Sequence, residues 1–306
     1  MSLTPSPHDS FFKDTFTRPR LLASTLQGLL PPEVVREIDF DTLTYFPGGS
    51  VGHLLESASF ADLVFSVSMG GVPGRLVVIL EHKSAPDPRV HFEILRYIVS
   101  FWNQSLKEDK APVPVLPVLF YHGRAPWTIP TRLSDLLEAR DSLRPFLPDF
   151  DLLTVDLGRI DDAIVRQKVS DLVAQSRLLS MKHIFDREIR RYLSTILQPL
   201  DAERVPRDIL RETLEMSIRY LSNVHRRLST EEIFSELRTV IKEEKVPDVI
   251  DLLREMGYKE GRQEDIERLL RKTTYSPDQI AEILEVDPGW VAAIARSLEG
   301  RHSSGG

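Results

Sequence analysis

Three charged residues, Asp62, Glu81 and Lys83, have the types and the spacing that suit a hard divalent cation. Glu81 and Lys83 are two positions apart in one predicted β-strand, so their side chains project from the same face. A hairpin folded about Val72 places Asp62 opposite His82, and a half-residue shift of its turn places Asp62 opposite Glu81 itself. Directly opposed Cβ atoms of an antiparallel pair are about 4.5–5.5 Å apart. The sequence therefore predicts that two carboxylates and an ammonium converge at the open end of this hairpin.

The chemistry that such a trio suits is metal-dependent hydrolysis. Mg²⁺ prefers oxygen ligands, usually one or two carboxylates with water and substrate phosphate, and a neighbouring lysine orients the attacking water and offsets transition-state charge. The alternative is an exposed ion pair between Glu81 and Lys83, with Asp62 only beginning the other strand. The preceding residues favour the site, because Asp62 follows Phe60 and Ala61 and Glu81 follows five apolar residues. A buried charge without a partner is costly.

The predicted hairpin comes from two strand-like runs around a turn signal. Phe60–Met69 alternates apolar and polar residues, Arg75–His82 is a β-branched apolar run, and the sequence GGVPG lies between them. Such a pair predicts an antiparallel hairpin with a five-residue turn. The following segment, Pro88–Gln104, has the periodicity of an amphipathic helix. Its apolar side is predicted to consist of Phe92, Leu95, Ile98, Val99 and Trp102.

The remaining elements of the first half complete the predicted fold class. Two helices are expected at Ser10–Phe16 and Arg20–Leu30, and two further buried strands at Val113–Tyr121 and Asp151–Leu157. The order from the hairpin onward is strand, strand, helix, strand, helix, strand. This order predicts an α/β fold with a mixed central β-sheet flanked by helices.

The chain divides into four segments by composition. Residues 7–160 carry the strands and form the first predicted domain, and residues 161–245 form a helical domain, with no proline between Asp161 and Gln198. Residues 246–300 form a tail of short helices broken by glycine and proline. The small polar residues 301–306 are predicted to be disordered.

The tail contains a pair of short helices with clear start signals. Ser276 and Gln279 form a capping box, and Asp287-Pro288 repeats the signal, as in a helix-turn-helix. A DNA-reading second helix presents Arg, Lys, Asn or Gln early, but this one begins with Gly289 and Trp290. A packing or oligomerisation unit is therefore favoured over sequence-specific readout. Since such short helices are marginal alone, they must pack either on the preceding helical domain or on a second subunit, and we expect the tail to help build a homodimer.

Composition and charge count against several classes of protein and of functional site. The 306 residues include no cysteine, which excludes a disulfide scaffold, a thiolate zinc site and a cysteine nucleophile. The net charge of −7 counts against a protein that coats DNA by bulk electrostatics, but not against an enzyme that holds DNA locally. No apolar run approaches the roughly 20 residues that cross a bilayer, and the N-terminus lacks the pattern of a secretory signal. We expect a cytoplasmic protein with no membrane partner.

Five stretches of the sequence occur in an order typical of a known family. They are His8-Asp9-Ser10-Phe11-Phe12-Lys13, Ala61-Asp62-Leu63-Val64-Phe65, Glu81-His82-Lys83-Ser84, Leu95-Arg96-Tyr97 and Pro117-Val118-Leu119-Phe120-Tyr121-His122-Gly123. Asp62 with Glu81-His82-Lys83 resembles the D…(D/E)-x-K signature of the PD-(D/E)XK nuclease superfamily. The ordered set is similar to the Rpn/YhgA-like family of recombination-promoting nucleases, also labelled transposases, over residues 7–220.

The resemblance implies a restriction-endonuclease-like core and a divalent-metal-dependent DNA endonuclease activity linked to recombination. Carried over by position, Asp62 and Glu81 become ligands of Mg²⁺ or Mn²⁺, and Lys83 becomes the residue that positions the attacking water. Family members often have Gln where Lys83 stands. The chain departs here toward the pattern of the parent superfamily, which favours activity.

Other residues near these motifs have two readings each. Asp9 either supplies a third acidic ligand from the first helix or caps a helix that begins at Ser10. His82 alternates to the opposite strand face from Glu81 and Lys83, and we expect it to be packed or hydrogen-bonded rather than a ligand. The basic residues of the helix after the hairpin either contact DNA phosphates or are solvated surface charges; they are Arg89, Arg96 and Lys107.

Two other classes of function stay open. The first is a catalytically weak or inactive relative that works as a DNA-associated interaction or oligomerisation module, to which the acidic net charge and the tail point. The second is an oligomeric scaffold with no role on DNA. Metal-dependent cutting of DNA separates the nuclease from both.

Overall fold

The computed structural model describes residues 6–46, 63–201 and 205–225, scattered positions between 228 and 271, and residues 275–284 and 286–302. In chain order the helices and strands are α1 (Pro7–Phe16), α2 (Pro19–Leu29), α3 (Pro32–Val35), β1 (Ile38–Tyr45), β2 (Leu63–Met69), β3 (Val72–Lys83), α4 (Val90–Lys107), β4 (Val115–Tyr121), β5 (Leu153–Asp156), α5 (Asp162–Lys168), α6 (Leu172–His183), α7 (Leu193–Leu197), α8 (Arg207–Val224), α9 (Pro277–Leu284) and α10 (Pro288–His302).

The strands form one mixed sheet in the order β1-β2-β3-β4-β5. The pairs β1–β2 and β2–β3 are antiparallel, and the pairs β3–β4 and β4–β5 are parallel. The predicted α/β class with a mixed central sheet is confirmed. Because β3, β4 and β5 run in the same direction, their C-terminal ends meet at one edge, where open α/β sheets commonly bind ligands.

Two features of the sheet region differ from the prediction. Strand β1 was missed, although buried Ile38, Phe40 and Leu43 are separated by exposed residues in its sequence. The helix expected between the last two strands is wrong, because within the described residues 122–152 the structure has only the short 3-10 turns Leu133–Leu136 and Arg144–Phe146. Four prolines in this connection remove N–H donors that an α-helix would need; they are Pro126, Pro130, Pro145 and Pro148.

The turn of the hairpin is shorter than expected. Gly70 and Gly71 alone connect β2 to β3, with φ values of +57° and +75°, which glycine adopts without steric cost. The predicted five-residue turn about Val72 is therefore wrong, because β3 already begins at that residue. A register shift between Val67 and Met69 brings the far end of the hairpin to the pairing of Leu63 with Leu80.

The two faces of the sheet pack against different helices. On one face, strand residues pack with α1, α2 and the helices from α5 to α8 in a single hydrophobic core that includes Phe12, Leu22, Phe65, Phe120, Leu178 and Leu214. On the other face, strand residues pack with α4 in a second cluster that includes Val64, Ile94, Tyr97, Leu119 and Tyr121. The helices after residue 160 thus share a core with the sheet. The boundary between the predicted domains, at residues 160–161, stays a prediction.

Helix α4 presents a different side to the sheet from the one predicted. Its buried residues include Ile94, Tyr97 and Ile98. Of the expected apolar side, Phe92, Val99 and Trp102 are instead exposed. The apolar residues of α4 extend around more of the helix than one face, so periodicity alone could not select the buried stripe.

The two tail helices pack on each other as a small unit. Ile266, Ile280 and Val291 belong to a hydrophobic cluster distinct from the two at the sheet. The predicted capping box is confirmed, because the Ser276 N–H donates to Gln279 Oε1 at 2.9 Å and the Gln279 N–H donates to Ser276 Oγ at 3.2 Å. Within the part of the chain that the structure describes, no helix has the length and apolar character needed to span a membrane.

Candidate active site

The C-terminal end of β3 carries a buried glutamate in contact with a lysine. Glu81 is 4% exposed, and Lys83 Nζ lies 3.1 Å from Glu81 Oε1. The same Nζ donates to Glu93 Oε2 of α4 at 2.9 Å. The alternation of the strand turns both β3 side chains toward α4. The structure thus brings Glu81 and Lys83 together as the sequence predicted, and adds Glu93 as a second carboxylate on the same ammonium.

The electrostatics of this group are anionic. Burial lowers the pKa of Lys83, but the carboxylates of Glu81 and Glu93 outweigh it and leave that pKa above its ordinary value. Burial raises the pKa of the neighbouring Tyr97, and the same two carboxylates raise it further. Two carboxylates, those of Glu81 and Glu93, therefore lie against the Lys83 ammonium.

Asp62, the other predicted metal ligand, lies outside the described residues. The last described pair of the hairpin is Leu63 with Leu80. The sequence allowed two registers, with Asp62 opposite either His82 or Glu81. The pairing of Leu63 with Leu80 agrees with the second, in which the next pair would be Asp62 with Glu81. Its closeness to Glu81 stays a prediction.

His82 projects from the opposite face of β3, as expected, and is buried in a hydrogen-bonded chain. Its Nδ1 lies 3.1 Å from Asp9 Oδ1, and its Nε2 lies 2.9 Å from His122 Nδ1. The Phe12 ring stacks on the imidazole with centroids 4.4 Å apart. Because a carboxylate can only accept, the hydrogen of the first contact belongs to His82 Nδ1.

The structure decides one of the two readings of Asp9. Helix α1 begins at Pro7, and its N-cap is Ser6, whose hydroxyl accepts from the Asp9 N–H at 3.1 Å. The expectation that Asp9 caps a helix starting at Ser10 is therefore wrong, because Ser6, three residues before Asp9, is the N-cap of a helix that begins earlier. The hydrogen bond from His82 lowers the pKa of Asp9 below its ordinary value, so the side chain is an anion at neutral pH.

An open pocket of about 420 Å³ lies beside these residues. Asp9 and His82 contribute to its wall from one side and Lys83 from the other, followed by the loop residues Ser84, Ala85, Pro86, Asp87 and Arg89. The pocket lies at the C-terminal edge of β3. Residues from both faces of the strand therefore reach one opening at the sheet edge.

The basic residues predicted to contact phosphate are spread along α4. Arg89 precedes the helix, lines the pocket and pairs with Asp87 at 2.9 Å. Arg96 is exposed, with its guanidinium 5.9 Å from the centre of the Tyr97 ring. Lys107 ends the helix, about 27 Å from Arg89 at a rise of about 1.5 Å per residue. Arg89 is thus the member of this set that adjoins the pocket.

The side chains of this site offer the type of ligand atom that a divalent metal ion requires. Among the described residues, no group of three His, Cys, Asp or Glu side chains forms a complete metal set. The candidate set includes Asp62, which is not among them. Glu81 offers the hard carboxylate oxygen that Mg²⁺ and Mn²⁺ prefer, and it does so within the anionic group shared with Glu93.

Two residues of this region were missed by sequence reasoning. Glu93 was unassigned, although an acid in the first turn of the helix after Glu81-His82-Lys83 was a usable signal. His122 belongs to the family-like stretch Pro117–Gly123, but the sequence indicated no partner for its side chain. Its contact with His82 joins residues 40 positions apart, a separation that no local pattern encodes.

The fold and the site define a class: a mixed α/β protein with a carboxylate–lysine pair at the end of a central strand. The chain belongs to the family described as "Putative transposase, YhgA-like", whose family model matches residues 6–209. The family expected from the sequence motifs is thereby confirmed.

Several relatives from Escherichia coli are similar to this chain. Recombination-promoting nuclease RpnC of strain K12 is 28% identical over 199 residues, 64% of each protein, so the match spans just under two thirds of that relative. Recombination-promoting nuclease RpnD of strain O157:H7 is 29% identical over 193 residues, 61% of this chain and 71% of the relative. The K12 protein named inactive recombination-promoting nuclease-like protein RpnE is 26% identical over 267 residues, 86% of each. No solved structure is significantly similar.

Proposed function

We propose that this protein is a divalent-metal-dependent DNA endonuclease that acts in recombination and has a restriction-endonuclease-like core. The observation that carries the proposal is the contact of buried Glu81 with Lys83 Nζ at 3.1 Å, at the end of a central strand. The names of RpnC and RpnD support a nuclease role. The mixed sheet, with the site at the carboxyl ends of its parallel strands, supports the proposed core.

The proposed roles follow from charge and position. Asp62 and Glu81 would hold Mg²⁺ or Mn²⁺, which supplies Lewis-acid activation of a phosphodiester and of water. Lys83 orients the attacking water and offsets negative charge on the scissile phosphate. Glu93 holds the Lys83 ammonium beside Glu81 through its bond of 2.9 Å. Arg89, at the pocket wall, is proposed to contact a neighbouring phosphate.

The first test is cleavage of supercoiled plasmid by the full chain. We expect nicked or linear product with Mg²⁺ or Mn²⁺, and none with Ca²⁺ or with EDTA. A wild-type protein that cuts equally well in EDTA would contradict the metal requirement. This series also shows which of the two metals supports the faster reaction.

A second test addresses Lys83. Lys83→Ala should lower turnover far more than DNA affinity, because the ammonium acts mainly on the transition state. Lys83→Gln should retain partial activity, since Gln can still orient water. Equal losses in affinity and turnover would instead assign Lys83 to phosphate binding in the ground state.

A second candidate function is a DNA-associated interaction protein without catalysis. It is favoured by the relative named inactive, which is similar over 86% of this chain, and by the net charge of −7. In this case the protein would shift DNA in a gel without cutting it in any metal. Cleavage by the wild-type protein excludes this candidate.

The tail is proposed to contribute to a homodimer. Two-fold dimers are the commonest oligomers, and a second active site would serve the second DNA strand. Truncation after Lys245 should convert a dimer to a monomer in light scattering. A monomer in both forms contradicts the proposal, and a truncated protein that stays dimeric places the interface elsewhere.

A further inference from the structure

We infer that Asp9 and His122 act as positioning residues that fix strand β3 through His82 and thereby hold Glu81 and Lys83 in place on its other face. The inference rests on the proposed function, because it concerns the geometry of the proposed catalytic pair. It assigns to Asp9 a role different from both readings of the sequence, neither helix cap nor metal ligand.

The three residues come from three separate elements. Asp9 lies in the first turn of α1, His82 in β3, and His122 directly after β4. Two hydrogen bonds, of 3.1 Å and 2.9 Å, join them in one chain. His82 and His122 are 6% and 2% exposed, so the bond between the two rings is shielded from competing water, whereas the Asp9 carboxylate lies at the pocket wall. The chain therefore ties the start of α1 and the end of β4 to one point of β3.

The rings around the chain restrict the imidazole further. Phe12 stacks on His82 at 4.4 Å, and the His122 ring centroid lies 4.7 Å from that of His82. Phe185 in turn stacks on His122 at 5.5 Å. The His82 ring is thus fixed in its plane by hydrogen bonds and across its plane by aromatic contact.

We call the hydrogen-bonded chain of Asp9, His82 and His122 the anchor of β3. The position of His82 in the sequence explains how this anchor acts on Glu81 and Lys83. It lies between Glu81 and Lys83, and alternate residues of a strand project to opposite faces. A strand that rotates about its own axis must move both faces together. A rotation of about 10° displaces the tip of a long side chain by about 1 Å, and a misplacement of that size can cost about 10²-fold in rate.

The competing explanation is a direct role of Asp9 in metal or water binding, because its carboxylate shares the pocket with Lys83. The two explanations need different properties of the side chain. An anchor needs only an oxygen that accepts the His82 Nδ1 hydrogen, which the amide of Asn also offers. A metal ligand or a base needs the negative charge, which Asn lacks.

The deciding experiment compares Asp9→Asn and Asp9→Ala in plasmid cleavage with Mg²⁺. We expect Asp9→Ala to lower kcat by up to about 10²-fold with little change in KM, and Asp9→Asn to restore most of the wild-type rate. Asp39→Ala, an exposed aspartate of β1, is the matched control and should cleave as the wild-type protein does. Thermal unfolding of each variant shows whether the fold is retained.

The outcomes separate the explanations. Equal losses in Asp9→Asn and Asp9→Ala overturn the positioning role in favour of a charged ligand or base. Wild-type rates in Asp9→Ala overturn it altogether, although the proposed function stands. Absence of cleavage by the wild-type protein overturns the proposed function and this inference together.

A readout that does not depend on cleavage tests the anchor itself. Long-range ¹H–¹⁵N spectra of the histidine rings report which nitrogen carries hydrogen. We expect His82 Nδ1 to be protonated in the wild-type protein and in Asp9→Asn, and to lose this preference in Asp9→Ala. A wild-type spectrum with an unprotonated His82 Nδ1 contradicts the hydrogen-bonded chain.

Discussion

Removal of the Lys83 ammonium should destabilise the fold through Glu81. In Lys83→Met the carboxylate of Glu81, 4% exposed, loses an ammonium at 3.1 Å, while the methionine keeps most of the apolar stem. Breaking a buried ion pair from one side costs about 3–5 kcal/mol. Here Glu81 can also escape the penalty by taking up a proton.

Protonation of Glu81 limits how much unfolding free energy Lys83→Met can lose, and this limit depends on pH. Neutralising a carboxyl with an ordinary pKa of about 4.3 costs about 1.4 kcal/mol per pH unit, hence about 3.7 kcal/mol at pH 7 and about 1.6 kcal/mol at pH 5.5. We therefore expect Lys83→Met to lose about 3 kcal/mol of unfolding free energy at pH 7. The loss should shrink by half or more at pH 5.5.

Urea unfolding at the two pH values measures this effect. The double variant Glu81→Gln/Lys83→Met removes both charges and should recover to within about 1 kcal/mol of the wild-type protein, since coupled neighbours are not additive. Lys107→Met, an exposed lysine at the other end of α4, is the control and should change stability by less than about 0.5 kcal/mol. A loss in Lys83→Met that is below 0.5 kcal/mol at pH 7, or that is independent of pH, refutes the reasoning.

Two further predictions concern buried charge elsewhere. Arg177 is fully buried and pairs with Asp14, so Asp14→Ala should cost about 3–5 kcal/mol by removing the carboxylate that balances the buried guanidinium. The control Asp141→Ala, whose side chain is 99% exposed, should cost less than about 0.5 kcal/mol in the same urea titration. Burial lowers the pKa of His122, and electrostatic interaction with His82 and His8 lowers it further, from 6.5 to about 2. Below pH 6.5 this histidine therefore binds a proton in the unfolded chain but not in the folded protein. Stability should therefore fall by up to about 2 kcal/mol between pH 6.5 and pH 5 from this residue, and His122→Gln should flatten the pH dependence; equal slopes in both proteins would contradict the assignment.

The part of the site that the sequence could predict is the part set by one strand. Alternation along β3 was enough to place Glu81 and Lys83 on one face and His82 on the other. The register of the hairpin was less certain, because the shift between Val67 and Met69 is a local irregularity of the pairing that the alternation of apolar and polar residues does not encode.

The contacts that cross between elements were not predictable in this way. Asp9 and His82 are 73 positions apart, and the sequence offered only a helix cap, which it favoured, or a metal ligand as the role of Asp9. Strand β1 was missed because its short alternating run resembles a polar connection. The buried side of α4 depended on which way the sheet faced, a tertiary property that the apolar residues of the helix did not determine.

The most direct test of the central claim is plasmid cleavage by the wild-type protein and by Glu81→Gln, side by side in Mg²⁺. Glu108→Gln, an exposed glutamate paired with Lys110, serves as the matched control. The account predicts cleavage by the wild-type protein and by Glu108→Gln, and a rate lowered by at least about 10²-fold in folded Glu81→Gln. Cleavage by Glu81→Gln at the wild-type rate would contradict the assignment of the active site.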